Sequence, residues 1–151
     1  MLVQEPFQRQ SGQLIARGVA RLLNSHGFAS IEEFVPTRGL RVDVLGLSDK
    51  SEVWIVECKS SRADFQTDKK WQGYLEYCDR YFWAVDTDFP VEVLPDHHGL
   101  MIADAYGGEI VRMGAEDRLP AARRKSLVQK FATTAARRLQ VLRDPDTEGL
   151  E

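Results

Sequence analysis

The sequence predicts an α/β fold in which one sheet carries helices packed on it. Two observations predict it. Short apolar runs of strand length alternate with helical periodicity along the chain. A 151-residue chain with 43% apolar and 28% charged residues also has the length and composition of one globular domain, residues 1–151. The composition excludes collagen-like and disordered classes. No apolar run approaches the roughly 18 residues of a membrane span. Met1–Pro6 lacks a basic start followed by an apolar stretch, so no secretory signal is expected. Two cysteines, Cys58 and Cys78, are too few for a disulfide framework, and a reduced cytoplasmic protein is the expectation.

The elements follow in order. Ser11 is a plausible N-cap, Ile15, Val19, Leu22 and Leu23 form one apolar stripe, and Gly27 stops the helix. Ser30–Pro36, Leu40–Leu47 and Glu52–Cys58 read as a three-stranded antiparallel meander, with turns at Arg38-Gly39 and Ser48–Ser51. A second helix is expected over Thr67–Tyr77, because Trp71, Tyr74, Leu75 and Cys78 recur at helical spacing. Tyr81–Val85 reads as a strand buried on both faces. Leu100–Ala105 and Glu109–Met113 read as a hairpin around Gly107-Gly108. Pro120 suits the first turn of a long helix, about 120–143, with an apolar face of Val128, Phe131, Ala132, Ala135, Leu139 and Leu142.

The net charge of −3 is unevenly spread. Residues 1–117 carry −7, residues 118–143 carry +8 with no acid, and the acidic tail 144–151 carries −4. The basic segment is either a solvated helix face or a surface for a polyanion.

Asp43 lies in the second strand, and Glu57 and Lys59 at the end of the third. Strand side chains alternate, so Glu57 and Lys59 share a face. A three-residue turn at Asp49–Ser51 sets Asp43 opposite Glu57 on that face, with Cβ atoms roughly 4.5–5.5 Å apart. A three-residue loop at Thr37–Gly39, with Gly39 left-handed, sets Glu33 opposite Asp43. Carboxylates gathered on one face repel unless a cation joins them. A hard divalent ion such as Mg²⁺, or Mn²⁺ in its place, suits Asp43, Glu57 and Glu33, and Lys59 would sit beside its water. The bland alternative is a set of ordinary edge-strand charges.

The block Ile31–Val85 resembles the PD-(D/E)XK nuclease superfamily, and within it the MmcB-like bacterial DNA-repair family. The residues that carry the resemblance are Arg41–Leu45, Val56–Ser61, Asp64-Phe65, Asp68–Trp71 with Tyr74, Cys78–Phe82 and Gly99–Arg112. It covers roughly residues 10–140. It implies a restriction-endonuclease-like core (helix, three-stranded meander, helix, strand) with an added hairpin and a long C-terminal helix. It also implies Mg²⁺-dependent hydrolysis of DNA phosphodiesters, with Asp43, Glu57 and Lys59 in the motif positions and Glu33 as the extra acid. Val42 stands where the superfamily often has proline.

Lys70 and Tyr74, at i and i+4, are candidate DNA contacts, with a solvated lysine and a core aromatic as the bland readings. Arg123, Lys130 and Arg137 recur every seven residues and form a candidate phosphate-binding stripe away from the apolar face. Asp64 and Asp68 read as helix caps, His97-His98 as loop residues, and both cysteines as core. Two rivals to the nuclease remain open: a catalytically idle DNA-binding repair accessory of the same fold, and a protein–protein module docking an acidic partner. A homodimer is one assembly open to such a protein.

Overall fold

The computed structural model describes residues 11–147. Glu148 and Glu151 of the acidic tail lie outside them. Six strands form one sheet in the order β1-β2-β3-β4-β5-β6. β1 (Phe28–Thr37), β2 (Leu40–Ser48) and β3 (Val53–Cys58) are the antiparallel meander. β4 (Arg80–Val85) joins β3 in parallel, β5 (Gly99–Ala103) joins β4 in parallel, and β6 (Gly108–Arg112) closes the sheet as an antiparallel hairpin.

Helices cover both faces. α1 (Ser11–Ser25) buries Ile15, Val19, Leu22 and Leu23 against Val44, Trp54, Val56, Phe82 and Met101. Gly18 lets this helix touch the β5–β6 turn, where a Cβ would stand 1.7 Å from the Asp104 carbonyl oxygen. The opposite face packs Ile31, Phe34, Leu45, Ile55, Tyr81 and Trp83 against Tyr74 and against Leu127 of α3 (Ala121–Arg143). Every residue of β3 is buried, as is all of β4 except the partly buried Arg80. A strand between two neighbours and under two layers reads as a continuous apolar run.

The registers follow turn length. Val44 pairs with Val56 and Leu47 with Val53, which sets Asp43 across from Glu57. Ser51 closes that turn with a φ of 62°. From Phe28↔Ser48 to Phe34↔Val42 the β1–β2 register sets Glu33 across from Asp43, and it shifts only toward Thr37↔Leu40, beside Gly39 at φ 90°.

Three expectations are corrected. The helix over Thr67–Tyr77 is instead a short α2 (Arg62–Thr67) and a 3₁₀ segment (Trp71–Tyr77), parted at Asp68–Lys70. Ser61 starts α2 by accepting from the Asp64 N–H. Asp68 ends it, because its backbone is extended and its carboxylate accepts from the Lys59 ammonium and the Lys70 N–H. The hairpin turn is centred on Ala105-Tyr106, two residues earlier than Gly107-Gly108, with Asp104 accepting from the N–H groups of Tyr106 and Gly107. The apolar face of α3 is also shifted. Leu127 is its one buried residue, Phe131 and Ala135 are partly buried, and Leu139 and Leu142 are exposed. The first half of α3 lands on the core, and the second half continues along β1, where Arg138 donates to the Glu32 and Glu33 carbonyls while Leu139 and Leu142 are exposed.

α3 is anchored by charge as well as by Leu127. The Asp79 carboxylate accepts from the Val53 and Leu119 N–H groups and from both terminal nitrogens of Arg124. No helix among the described residues is long and apolar enough to cross a membrane.

Candidate functional site

The sheet end that carries Asp43 and Glu57 opens into a cleft of about 1210 Å³. Asp43, Glu57 and Lys59 form its floor. The other walls come from the start of α1 (Gly12, Gln13), the β1 acids Glu32 and Glu33, the α2 region (Asp64, Asp68, Lys70, Tyr74), and Arg138 and Leu142 of α3.

Asp43 and Glu57 meet as the register predicts. The Asp43 N–H donates to Glu57 Oε1 at 2.9 Å, and the Cys58 N–H donates to Asp43 Oδ2 at 2.8 Å. Each carboxylate is therefore fixed by the main chain of the other strand. Glu57 is only 3% exposed. Burial first, and then the neighbouring Asp43, push its pKa up to about 9. Burial also raises that of Asp43, against the hydrogen bond from Cys58 and the charge of Lys59. Two acids so placed do not both ionise readily, and the metal-free pair retains a proton at neutral pH.

Lys59 is 6% exposed and its Nζ lies 2.7 Å from Asp68 Oδ2. Burial alone pulls an ammonium's pKa down, but the hydrogen bond and charge of Asp68 outweigh it and the pKa ends above its usual value. Lys59 is a cation here, held in the cleft by a carboxylate nine residues on. Asp68 was expected only as a helix cap. Its role is invisible in the spacing, because the contact forms only after the chain breaks at Asp68–Lys70. Asp64 does serve locally, accepting from the Ser60 N–H and hydroxyl.

Glu33 stands on the cleft wall with a left-handed backbone, φ 52°. It does not join the Asp43–Glu57 pair: among the described residues no three His, Cys, Asp or Glu side chains gather as a metal site. The donor set nevertheless fits a hard ion. Mg²⁺ usually takes one or two carboxylates and fills its remaining positions with water and phosphate. Asp43 and Glu57 converge with Glu57 almost fully buried, and a cation between them would offset their mutual repulsion.

Lys70 lines the cleft with its side chain exposed, and Tyr74 lines it with a buried ring. Two of the three members of the heptad stripe already bond to main-chain carbonyls of the body. Arg123 donates to the Glu76 carbonyl and lies over the Tyr77 ring, and Lys130 donates to the Pro36 carbonyl at 2.7 Å. Arg137 is exposed. Cys58 and Cys78 are free, buried thiols in different clusters on opposite faces of the sheet. His98 is buried against Trp71, Tyr81 and Trp83, whereas His97 is exposed.

The chain matches the model of the family described as DNA repair protein MmcB-like over residues 3–146. Among solved structures it is similar to the SPO1766 protein of unknown function from Silicibacter pomeroyi. The two are 68% identical, with 95% of this chain and 98% of that chain covered and a TM-score of 0.91. No curated protein matches this chain. The family match takes in β1 through α3, and with them every residue of the cleft described above, so the chain belongs to the MmcB-like DNA repair family.

Proposed function

We propose that this protein is a divalent-metal-dependent DNA phosphodiester hydrolase acting in DNA repair, built on a restriction-endonuclease-like core. The observation that carries the reading is the facing of Asp43 and Glu57 across β2 and β3, with the Lys59 cation in the same cleft. Membership of a DNA repair family supplies the substrate class.

Asp43 and Glu57 would hold Mg²⁺ or Mn²⁺, with Glu33 as an outer acid. When bound, the ion supplies charge neutralisation and Lewis-acid polarisation of a phosphoryl oxygen. The chain's own residues do the rest. The Asp43 and Glu57 oxygens are oriented in advance by N–H donors from the facing strands. Lys59 stays protonated, so it serves as a fixed positive charge for the negative charge that develops on phosphorus, and as a donor that orients the attacking water. It does not act as the base. Lys70, exposed at the cleft, and Arg137, exposed on α3, would contact phosphates.

The test is cleavage of single-stranded, duplex, nicked and branched DNA in Mg²⁺ or Mn²⁺. Metal-dependent cleavage that is lost in Asp43→Asn and Lys59→Ala supports the reading. A second reading is a DNA-binding repair accessory without turnover, favoured by the Lys59–Asp68 ion pair that already engages the ammonium. Salt-dependent DNA binding with no cleavage of any of these substrates selects it.

A further inference from the structure

One contact ties α3 to the candidate site from more than a hundred residues away. Arg138 donates from one guanidinium nitrogen to the Glu32 carbonyl, and from the other to the Glu33 carbonyl at 2.8 Å. The segment it grips is irregular. Ile31 and Phe34 are both buried in the same core cluster, although strict alternation would send residues three apart to opposite faces. Glu33 absorbs the difference with its φ of 52°, a conformation that non-glycine residues rarely adopt. Glu32 pairs with Val44 and Phe34 with Val42, so the irregular residue is the one across from Asp43. Both acids and Arg138 itself line the cleft.

We infer that Arg138 is a positioning residue: it holds the Glu32–Glu33 backbone in its left-handed conformation and thereby sets the cation affinity of the Asp43–Glu57 site. The inference rests on the metal reading proposed above. Its physical basis is the guanidinium fork, whose two nitrogens bind adjacent carbonyls in one plane and fix the direction of both peptides. Without the fork, the left-handed glutamate loses two charge-assisted bonds that favour it, and the β1 main chain across from Asp43 is free to relax. The Asp43 N–H on that stretch of β2 is the donor that holds Glu57 Oε1, so a change in β1 falls beside the contact that orients the pair. Beyond Phe131 and Ala135, which pack partly buried on the core, this contact also ties the distal part of α3 to the cleft wall.

The experiment compares wild type with Arg138→Ala, Arg138→Lys and, as control, Lys125→Ala at an exposed position of the same helix. Three quantities are read on the full chain: the ¹³Cα shift of Glu33 without metal, the Mn²⁺ affinity by calorimetry, and Tm without metal. In Arg138→Ala the Glu33 shift should leave its wild-type value, and Mn²⁺ should bind about 10-fold more weakly, in the range seen when outer partners of metal ligands are removed. Arg138→Lys, a single point donor, should fall between, and it provides the answer if the alanine variant does not fold. Lys125→Ala should match wild type in all three. Unchanged Glu33 shift and Mn²⁺ affinity in folded Arg138 variants would overturn the inference, as would a lower Tm with both unchanged. Wild-type protein that takes no Mn²⁺ overturns the metal reading instead, and the Glu33 shift then decides by itself whether Arg138 holds the left-handed backbone of Glu33.

Discussion

Asp79 and Arg124 form a two-pronged ion pair, with Arg124 nitrogens at 2.6 and 2.7 Å from the two Asp79 oxygens and the Asp79 side chain fully buried. The same carboxylate also caps β3 through Val53 and the segment before α3 through Leu119. One side chain thus joins the start of β4, the start of β3 and the C-terminal helix.

Breaking that pair should be costly, because one partner is left buried and charged. Arg124→Ala should lose about 3–5 kcal/mol in urea unfolding, against under about 0.5 kcal/mol for Lys125→Ala on the exposed side. Burial pushes the Asp79 pKa up, but Arg124 and the two N–H donors outweigh it, and the folded value lies below the usual 3.8. A depressed carboxylate stabilises the fold above its unfolded pKa. That contribution is lost as pH falls below about 4 and should be missing from the acid limb of Asp79→Asn.

His98 predicts a separate pH dependence. Burial, helped by His97 and Arg112, lowers its pKa from 6.5 to about 4. The folded state thus prefers the neutral ring, and stability present above pH 6.5 is lost as pH falls toward 4. The shift corresponds to at most about 3 kcal/mol. His98→Phe should flatten the stability curve between those two pH values. A curve that keeps its wild-type slope there would assign the loss to other groups.

The metal-free Asp43–Glu57 pair acts in the opposite direction. The Glu57 pKa is raised from 4.5 to about 9, so its contribution is fully present below pH 4.5 and is lost as pH rises through 9. A cation that enters must displace the retained proton. Calorimetry at pH 7 in two buffers of different ionisation enthalpy should therefore report release of about one proton per Mn²⁺ bound. Mn²⁺ at 100 Kd should also stabilise the fold by about 2.7 kcal/mol. Asp43→Asn should lose most of both effects; equal effects in the variant would place the ion elsewhere.

Much of this site was legible because strand parity and turn length are local. Three turn residues after Ser48 and the alternation of β2 and β3 are enough to bring Asp43 to Glu57. The left-handed backbone at Glu33 was not legible, since a glutamate in that conformation carries no local signal and the Glu32 and Glu33 carbonyls are held by Arg138 in α3. The break at Asp68–Lys70 was hidden in the same way: Trp71, Tyr74 and Cys78 have helical spacing, but the Lys59–Asp68 pair ends α2 first. In α3 the apolar stripe was visible, whereas which half of it meets the sheet depends on where Asp79 docks Arg124.

The basic residues of α3 now divide into two groups that DNA binding should separate. Lys130 and Arg123 are engaged with the carbonyls of Pro36 and Glu76, so they hold the helix to the body. Arg137 is exposed on the distal half of α3. Each phosphate neutralised on duplex DNA contributes about 0.9 to the slope of log K against log salt. Arg137→Ala should therefore bind DNA more weakly, with a slope shallower by about 1 and an unchanged Tm. Lys130→Ala should lower Tm, by an amount set by the lost hydrogen bond of roughly 1 kcal/mol, and move the slope little. A folded Arg137→Ala variant with the wild-type slope would take α3 out of the DNA interface and leave phosphate contact to Lys70 and its neighbours at the cleft.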